Sequence, residues 1–149
     1  MAPMKLEIVT AERLVYSEDV DVLVAPGIEG ELGILPRHAP LLTVLQPGEI
    51  RVSKDGKETY MTVSGGFIEV MSNTVTILAD TAERVEDIDA ERAEAAFKRA
   101  QERISSAVSE MDLQRAMASL KRSQARIGVV TRRRRQQRGE RPTQQPPTQ

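Results

Sequence analysis

The chain changes its hydrophobic period once, near residue 87, and that change limits the fold more than any other feature of the sequence. Before it, apolar residues alternate or run in short β-branched stretches between turn residues, the pattern of strands. After it they recur every three or four residues, which puts them on one face of a helix. A strand-rich half followed by a helical half implies an α+β protein with its elements segregated.

The strand half is best defined at its hairpins. Ile50 and Val52 alternate, Lys54-Asp55-Gly56-Lys57 supplies a tight turn, and Tyr60-Met61-Thr62-Val63 returns as a second strand. Asp-Gly between two such runs is a strong hairpin signal because both turn residues need positive φ. Met71-Ser72-Asn73-Thr74 predicts a second hairpin, between Phe67–Val70 and Val75–Leu78. Earlier, Leu6–Val9 and Val20–Val24 read as strands, the latter ended by Pro26-Gly27. Many short strands at this spacing indicate a sandwich or barrel. Aromatics are only 3% of the chain, so its core must be built from Val, Ile, Leu, Met and Ala.

In the second half, Phe97, Ala100, Ile104, Ala107 and Met111 form one helical stripe. Leu113, Met117, Leu120, Gln124 and Ile127 form another after a break around Ser109–Asp112. Asp87 or Asp89 is expected to cap the first helix and Asp112 the second. So short a connection predicts an antiparallel hairpin, and the narrow, Ala-rich stripes predict one that separates readily. From Arg132 onward Arg, Gln, Pro and Thr dominate, and residues 132–149 are expected to be a disordered tail.

Composition removes several classes of function. Cysteine is absent, which excludes disulfides, thiolate metal sites and a Cys nucleophile, and His38 is the single histidine, too few for a multi-His metal centre. No nucleophile–base pair or paired-carboxylate site is visible, so no catalytic residue and no required cofactor is assigned. The longest apolar run, Leu41–Leu45, is far below the roughly 20 residues that span a bilayer. Met1 to Thr10 carries Lys5 and Glu7 where a secretory signal needs an unbroken apolar stretch, so a cytoplasmic-side location is expected. Six of the 21 basic residues and one of the 22 acidic ones fall at 132–149, leaving an acidic body with a basic tail. That asymmetry suggests an acidic partner for the tail. Without a stacking aromatic nearby, the arginine run implies at most weak, salt-sensitive nucleic-acid binding.

Three blocks carry a family resemblance. Pro26-Gly27-Ile28-Glu29-Gly30-Glu31-Leu32-Gly33-Ile34-Leu35-Pro36-Arg37-His38-Ala39-Pro40 resembles the signature loop of the epsilon subunits of bacterial and plastid F-type ATP synthases. Ser64-Gly65-Gly66-Phe67-Ile68-Glu69-Val70 is similar to that family's second hallmark, and Ile88-Asp89-Ala90-Glu91-Arg92-Ala93 to the motif that opens its first helix. The three occur in order, and the resemblance covers about residues 4–131. It implies a flattened antiparallel β-sandwich over 4–86 and a two-helix regulatory domain over 87–131. It also implies a non-catalytic rotor subunit that couples proton flow to ATP synthesis and inhibits ATP hydrolysis through its helices. The implied partners are the gamma subunit and c-ring, and the catalytic beta subunits when the helices extend. The implied place is the cytoplasmic face of the bacterial cell membrane, peripheral and not inserted, with the plastid thylakoid as the alternative. The tail is a departure, since the family usually ends near residue 131.

Candidate sites follow from both readings. Gly27, Gly30 and Gly33 do not form a phosphate loop, because Glu29 and Glu31 repel phosphate and no Lys follows. A turned loop fits better, and the resemblance makes it the rim facing the c-ring, with Glu31 its contact. Gly65-Gly66 reads as a bulge or close-packing point, and His38 as a turn or interface residue. Arg92 and Arg99 share one helix face, as do Arg122 and Arg126, and an antiparallel hairpin brings all four toward the start of the first helix, where the dipole favours an anion. In relatives that bind ATP the matching positions hold the nucleotide, which carries over to Glu83, Ile88, Asp89, Arg92, Ala93, Arg99, Arg122 and Arg126. The arginines are expected on the phosphates, and Ile88 and Asp89 on the adenosine. The competing reading is a solvated, salt-bridged helix face. A stand-alone ATP-sensing module is the rival to the rotor subunit.

Overall fold

Among the described residues, ten strands occupy the first part of the chain: β1 (Met4–Val9), β2 (Leu14–Val20), β3 (Val22–Gly27), β4 (Gly30–Ile34), β5 (Leu41–Leu45), β6 (Gly48–Lys54), β7 (Lys57–Val63), β8 (Gly66–Met71), β9 (Thr74–Ala79) and β10 (Ala82–Arg84). A 3-10 turn over Val85–Asp87 leads into α1 (Ala90–Ser106), and α2 (Glu110–Gln137) follows. The structure, a computed structural model, describes residues 2–137.

The strands form one ladder in the order β10-β7-β6-β3-β5-β8-β9-β1-β2, with β4 on β3. It is pinched at β3–β5, where the one paired position is Gly27 with Leu45. The halves on either side of that pinch fold over one another. The alternating residues Leu6 and Ile8, Leu23 and Ala25, Ile50 and Val52, Ile68 and Val70, Val75 and Ile77 then meet in one buried cluster. This is a sandwich core built without Trp or Phe. All pairings are antiparallel except β1 with β9, which is parallel, so the expectation of a purely antiparallel sandwich is corrected there. Intervening strands connect β1 to β9, so no tight hairpin dictates their relative direction.

Both predicted hairpins are present. Asp55 and Gly56 have φ of 50° and 76°, and Ser72 and Asn73 have φ of 50° and 61°, so each two-residue turn is left-handed throughout. The Val20–Val24 stretch proves to be two strands divided at Asp21, whose carboxylate accepts from the Asp55 backbone N–H at 2.9 Å. Pro26-Gly27 ends β3 as expected, but the stretch after it is a hairpin rather than only a turned loop: the chain turns over Ile28-Glu29 and pairs back as β4. At Gly66, with φ of 138°, a Cβ would lie 2.1 Å from the Leu78 carbonyl oxygen, so the second Gly of Gly65-Gly66 is a close-packing point.

The helices form an antiparallel hairpin whose contact is made of small residues, Ala93 and Ala100 on α1 with Ala116 and Ser123 on α2. Asp89 caps α1, its carboxylate accepting from the Arg92 N–H at 3.1 Å. The expected cap of α2 is corrected: Ser109 Oγ accepts from the Asp112 N–H at 3.1 Å, and Asp112 lies in the first turn. A cap must reach the N–H groups two or three residues ahead, and Ser109 stands at that distance. The second half of α2 lies across β6 and β7. There Val129 is fully buried with Tyr60 and Val85, and Ile88 packs beside them. β7 loses its burial alternation for this reason: Met61 and Val63 face the sandwich core, while Tyr60 and Thr62 are buried on the other side.

The expectation of disorder from residue 132 is corrected for its first part. α2 continues through Arg132–Gln137. Arg and Gln are good helix formers, and Arg132 and Gln136, four apart on one face, find polar partners on the sandwich. Arg132 bonds the Glu49 carboxylate, and Gln136 Nε2 donates to the Tyr60 hydroxyl at 3.0 Å. The remainder of the expected tail, 138–149, lies outside the described residues.

Candidate functional site

The end of β10, the 3-10 turn, the first two turns of α1 and the middle of α2 converge because α2 runs back past the start of α1 and lies on β7. Between them is an open cleft of about 220 Å³ lined by Glu83, Asp87, Ile88, Asp89, Arg92, Ala93, Ala96, Arg99 and Arg126. Seven of the eight residues expected at a nucleotide site are therefore neighbours in space: Glu83, Ile88, Asp89, Arg92, Ala93, Arg99 and Arg126. Arg122, the eighth, sits one turn earlier on α2 and lines an adjoining hollow with Glu83, Arg126, Ser64 and Thr81.

Electrostatically the cleft is mixed. Glu83, Asp87 and Asp89 face Arg92, Arg99 and Arg126, and Arg126 is ion-paired with Glu83 across a half-buried contact. Asp89 spends one oxygen on the helix cap, which fixes the first turn of α1 beside the arginines. The small Ala93 and Ala96 leave room between the guanidinium groups. Sequence reasoning missed Asp87 and Ala96 as cleft residues. Asp87 reads from the sequence as a cap or as a salt-bridge partner of Arg92, and Ala96 carries one signal, its position four residues after Arg92 on the same face.

A second feature was also missed. Leu42 and Val44 of β5, Phe67 of β8 and Leu78 of β9 are exposed on the outer face of the sandwich, away from the helices. The register places Val44 opposite Phe67 and Phe67 opposite Leu78, so these side chains form a contiguous apolar patch. The signal was present in Leu41-Leu42, Phe67-Ile68 and Ile77-Leu78, where consecutive residues are apolar and both faces of a strand must then be covered. Glu31 on β4 is exposed, and its carboxylate accepts from Arg51 at 2.6 Å. His38 lies in a turn, its N–H donating to the Leu35 carbonyl at 3.1 Å. Among the described residues no helix is long and apolar enough to cross a membrane.

The sandwich and the hairpin packed on its side, with the cleft between them, define a two-part subunit held together by the apolar cluster around Val129 and by ion pairs from Arg126 and Arg132. Comparison with known proteins places it. The description "ATP synthase, Delta/Epsilon chain, beta-sandwich domain" matches residues 3–85, and the family's long alpha-helix domain matches residues 86–131. The ATP synthase epsilon chain of Herpetosiphon aurantiacus is 60% identical over 100 residues, covering 67% of this chain and 74% of that one. That of Pelotomaculum thermopropionicum is 58% identical over 101 residues, covering 68% and 75%. Among solved structures, a chain of the Euglena gracilis mitochondrial ATP synthase OSCP/F1/c-ring assembly is similar with a TM-score of 0.75 at 26% identity, covering 84% of this chain and 79% of that one. The chain belongs to the ATP synthase delta/epsilon family and is an epsilon subunit, a non-catalytic component of the synthase's central stalk.

Proposed function

We propose that this subunit restrains ATP hydrolysis through its helix hairpin, and that ATP bound in the Glu83–Arg126 cleft keeps the hairpin folded on the sandwich. The observation that carries the reading is the convergence of β10, α1 and α2 on one cleft with Arg92, Arg99 and Arg126 in its wall. Arg92, Arg99, Arg126 and the neighbouring Arg122 would take the phosphates, in charge-assisted and partly bidentate contacts. Ile88, Ala93 and Asp89 would take the adenosine, and Glu83 would exchange its bond to Arg126 for a place at the nucleotide's edge. Because the walls come from both the sandwich and the helices, the site exists only while the hairpin is docked. A ligand with that preference stabilises the docked state by RT ln(1 + [L]/Kd), about 2.7 kcal/mol at a hundredfold excess over Kd. When ATP falls, the helices are released to extend toward the catalytic beta subunits and block hydrolysis.

The same reading gives the remaining surfaces their partners. The Leu42–Val44–Phe67–Leu78 patch is suited to the gamma subunit, since apolar area of this kind is ordinarily covered in an assembly. Glu31, at the β3–β4 end, is assigned to the c-ring. The subunit then sits at the cytoplasmic face of the membrane without entering it. One observation favours a plainer account of the arginines: Arg126 is already satisfied by Glu83, as in a salt-bridged surface. Calorimetric titration with ATP decides between the two. The expected result is binding by the intact chain and its loss in Arg92→Ala/Arg126→Ala. Absence of binding at millimolar ATP would reduce the cleft to an ion-paired surface and leave the stalk assignment standing.

A further inference from the structure

The family match ends at residue 131, and α2 does not. Its next six residues make two side-chain contacts with the sandwich, from Arg132 to Glu49 on β6 and from Gln136 to Tyr60 on β7. Both partners were prepared by the strands that carry them. Glu49 is mostly buried and has a second, longer ion contact at 3.9 Å with Arg51 of its own strand. Tyr60 is fixed through its ring in the small cluster with Val85 and Val129, and its hydroxyl also donates to Glu58. A helix that stopped at Thr131 would leave Glu49 with only the longer contact to Arg51, and a mostly buried carboxylate that loses its nearer partner is costly.

We propose that Arg132–Gln137 is a latch, a segment beyond the part matched to the family that fastens the hairpin onto the sandwich by engaging Glu49 and Tyr60. Its position makes it a control point. Arg126 in the cleft precedes Arg132 by six residues of continuous helix, so the latch and the cleft wall are parts of one rigid rod. Val129, between them, is the apolar plug that must leave when the rod lifts. The latch therefore sets how often the hairpin releases even without a ligand, and the inference stands independently of nucleotide binding.

The chain has no cysteine, which permits a direct test. In Val129→Cys the one thiol is buried under the docked helix, and its labelling rate by a thiol reagent without nucleotide reads the fraction of time the hairpin is lifted. Arg132→Glu with Gln136→Ala is expected to raise that rate about tenfold, the combined reach of a partly exposed ion pair and one hydrogen bond. Arg132→Lys, which keeps the charge, should retain most of the protection, and high salt should raise the rate only in chains that carry the pair. A thiol at Ile77→Cys, inside the sandwich, should label at the same slow rate in every variant. Equal labelling of Val129→Cys with and without the latch residues would overturn the proposal. So would a parallel rise at Ile77→Cys, because the substitutions would then be loosening the whole fold.

Discussion

Glu49 shows how one residue serves opposed demands. Burial pushes its carboxyl above the ordinary 4.5, against the pull of Arg132 and then Arg51 in the other direction. The net direction means that the arginines offset only part of the cost of taking the charge out of water. A carboxyl whose folded-state pKa is raised contributes stability that is fully present below 4.5 and lost as pH rises through the folded value. The stability of the natural chain minus that of Glu49→Gln, from urea unfolding, is therefore expected to be largest in acid and to decline toward neutral pH. A difference that grew with pH would show that the arginines outweigh burial. At neutral pH the two ends of the pair are unequal for the same reason. Glu49→Gln removes a charge that costs energy to bury, whereas Arg132→Ala strands that charge. The sequence marks Arg132 only as part of a basic run in want of an acidic partner and does not mark Glu49, since the two lie 83 positions apart and no spacing rule joins them.

At the scale of elements, the strands and helices were legible where chemistry is local. Asp55-Gly56 and Ser72-Asn73 announce their turns because few residues accept positive φ, and Asp89 announces α1 through its cap. The buried stripe of α2 was legible only in part. The expected set was Leu113, Met117, Leu120, Gln124 and Ile127, whereas Met117 is exposed and the buried positions include Ala116 and Ser123. A period of 3.6 allows either neighbour of each pair, and the choice fell to the small side chains because they let α1 approach closely. The position of Ser123 is telling. It is buried, yet its hydroxyl is satisfied within the helix by the Ser119 carbonyl at 3.0 Å. Ser123→Leu should overpack this contact and cost about 1–3 kcal/mol in the association of the helices. Amide hydrogen exchange would find α1 and α2 less protected while β1, β8 and β9 keep the natural rates. Unchanged exchange in both helices would mean that the hairpin interface has slack to absorb a larger side chain.

For the whole molecule, the fold sorts its surfaces by face, and this sorting was the least legible feature. The meeting of Arg92, Arg99 and Arg126 at the Glu83–Arg126 cleft could be anticipated from the arginine spacing, because an antiparallel hairpin leaves little choice about which helix ends meet. The apolar patch could not, because it requires knowing that β5, β8 and β9 are adjacent. The helices cover β6 and β7 instead, so the outer face of β5, β8 and β9 stays bare. The two surfaces should therefore fail separately. Phe67 is 53% exposed, so Phe67→Glu is expected to change stability by no more than about 0.5 kcal/mol. It also lies across the sandwich from the cleft residues and should leave ATP titration as it was. What it should abolish is copurification with the other synthase subunits, since a carboxylate at the centre of the patch must be desolvated for the contact to form. Arg92→Ala should do the reverse, assembling normally while losing nucleotide response. If Phe67→Glu assembled as well as the natural chain, the patch would be an ordinary exposed face and the stalk contact would have to be sought at the β3–β4 end, around Glu31. If it failed to assemble with its fold and nucleotide response intact, the outer face of β5, β8 and β9 would be the surface by which the subunit is held to the stalk, leaving the helices on the opposite side free to move.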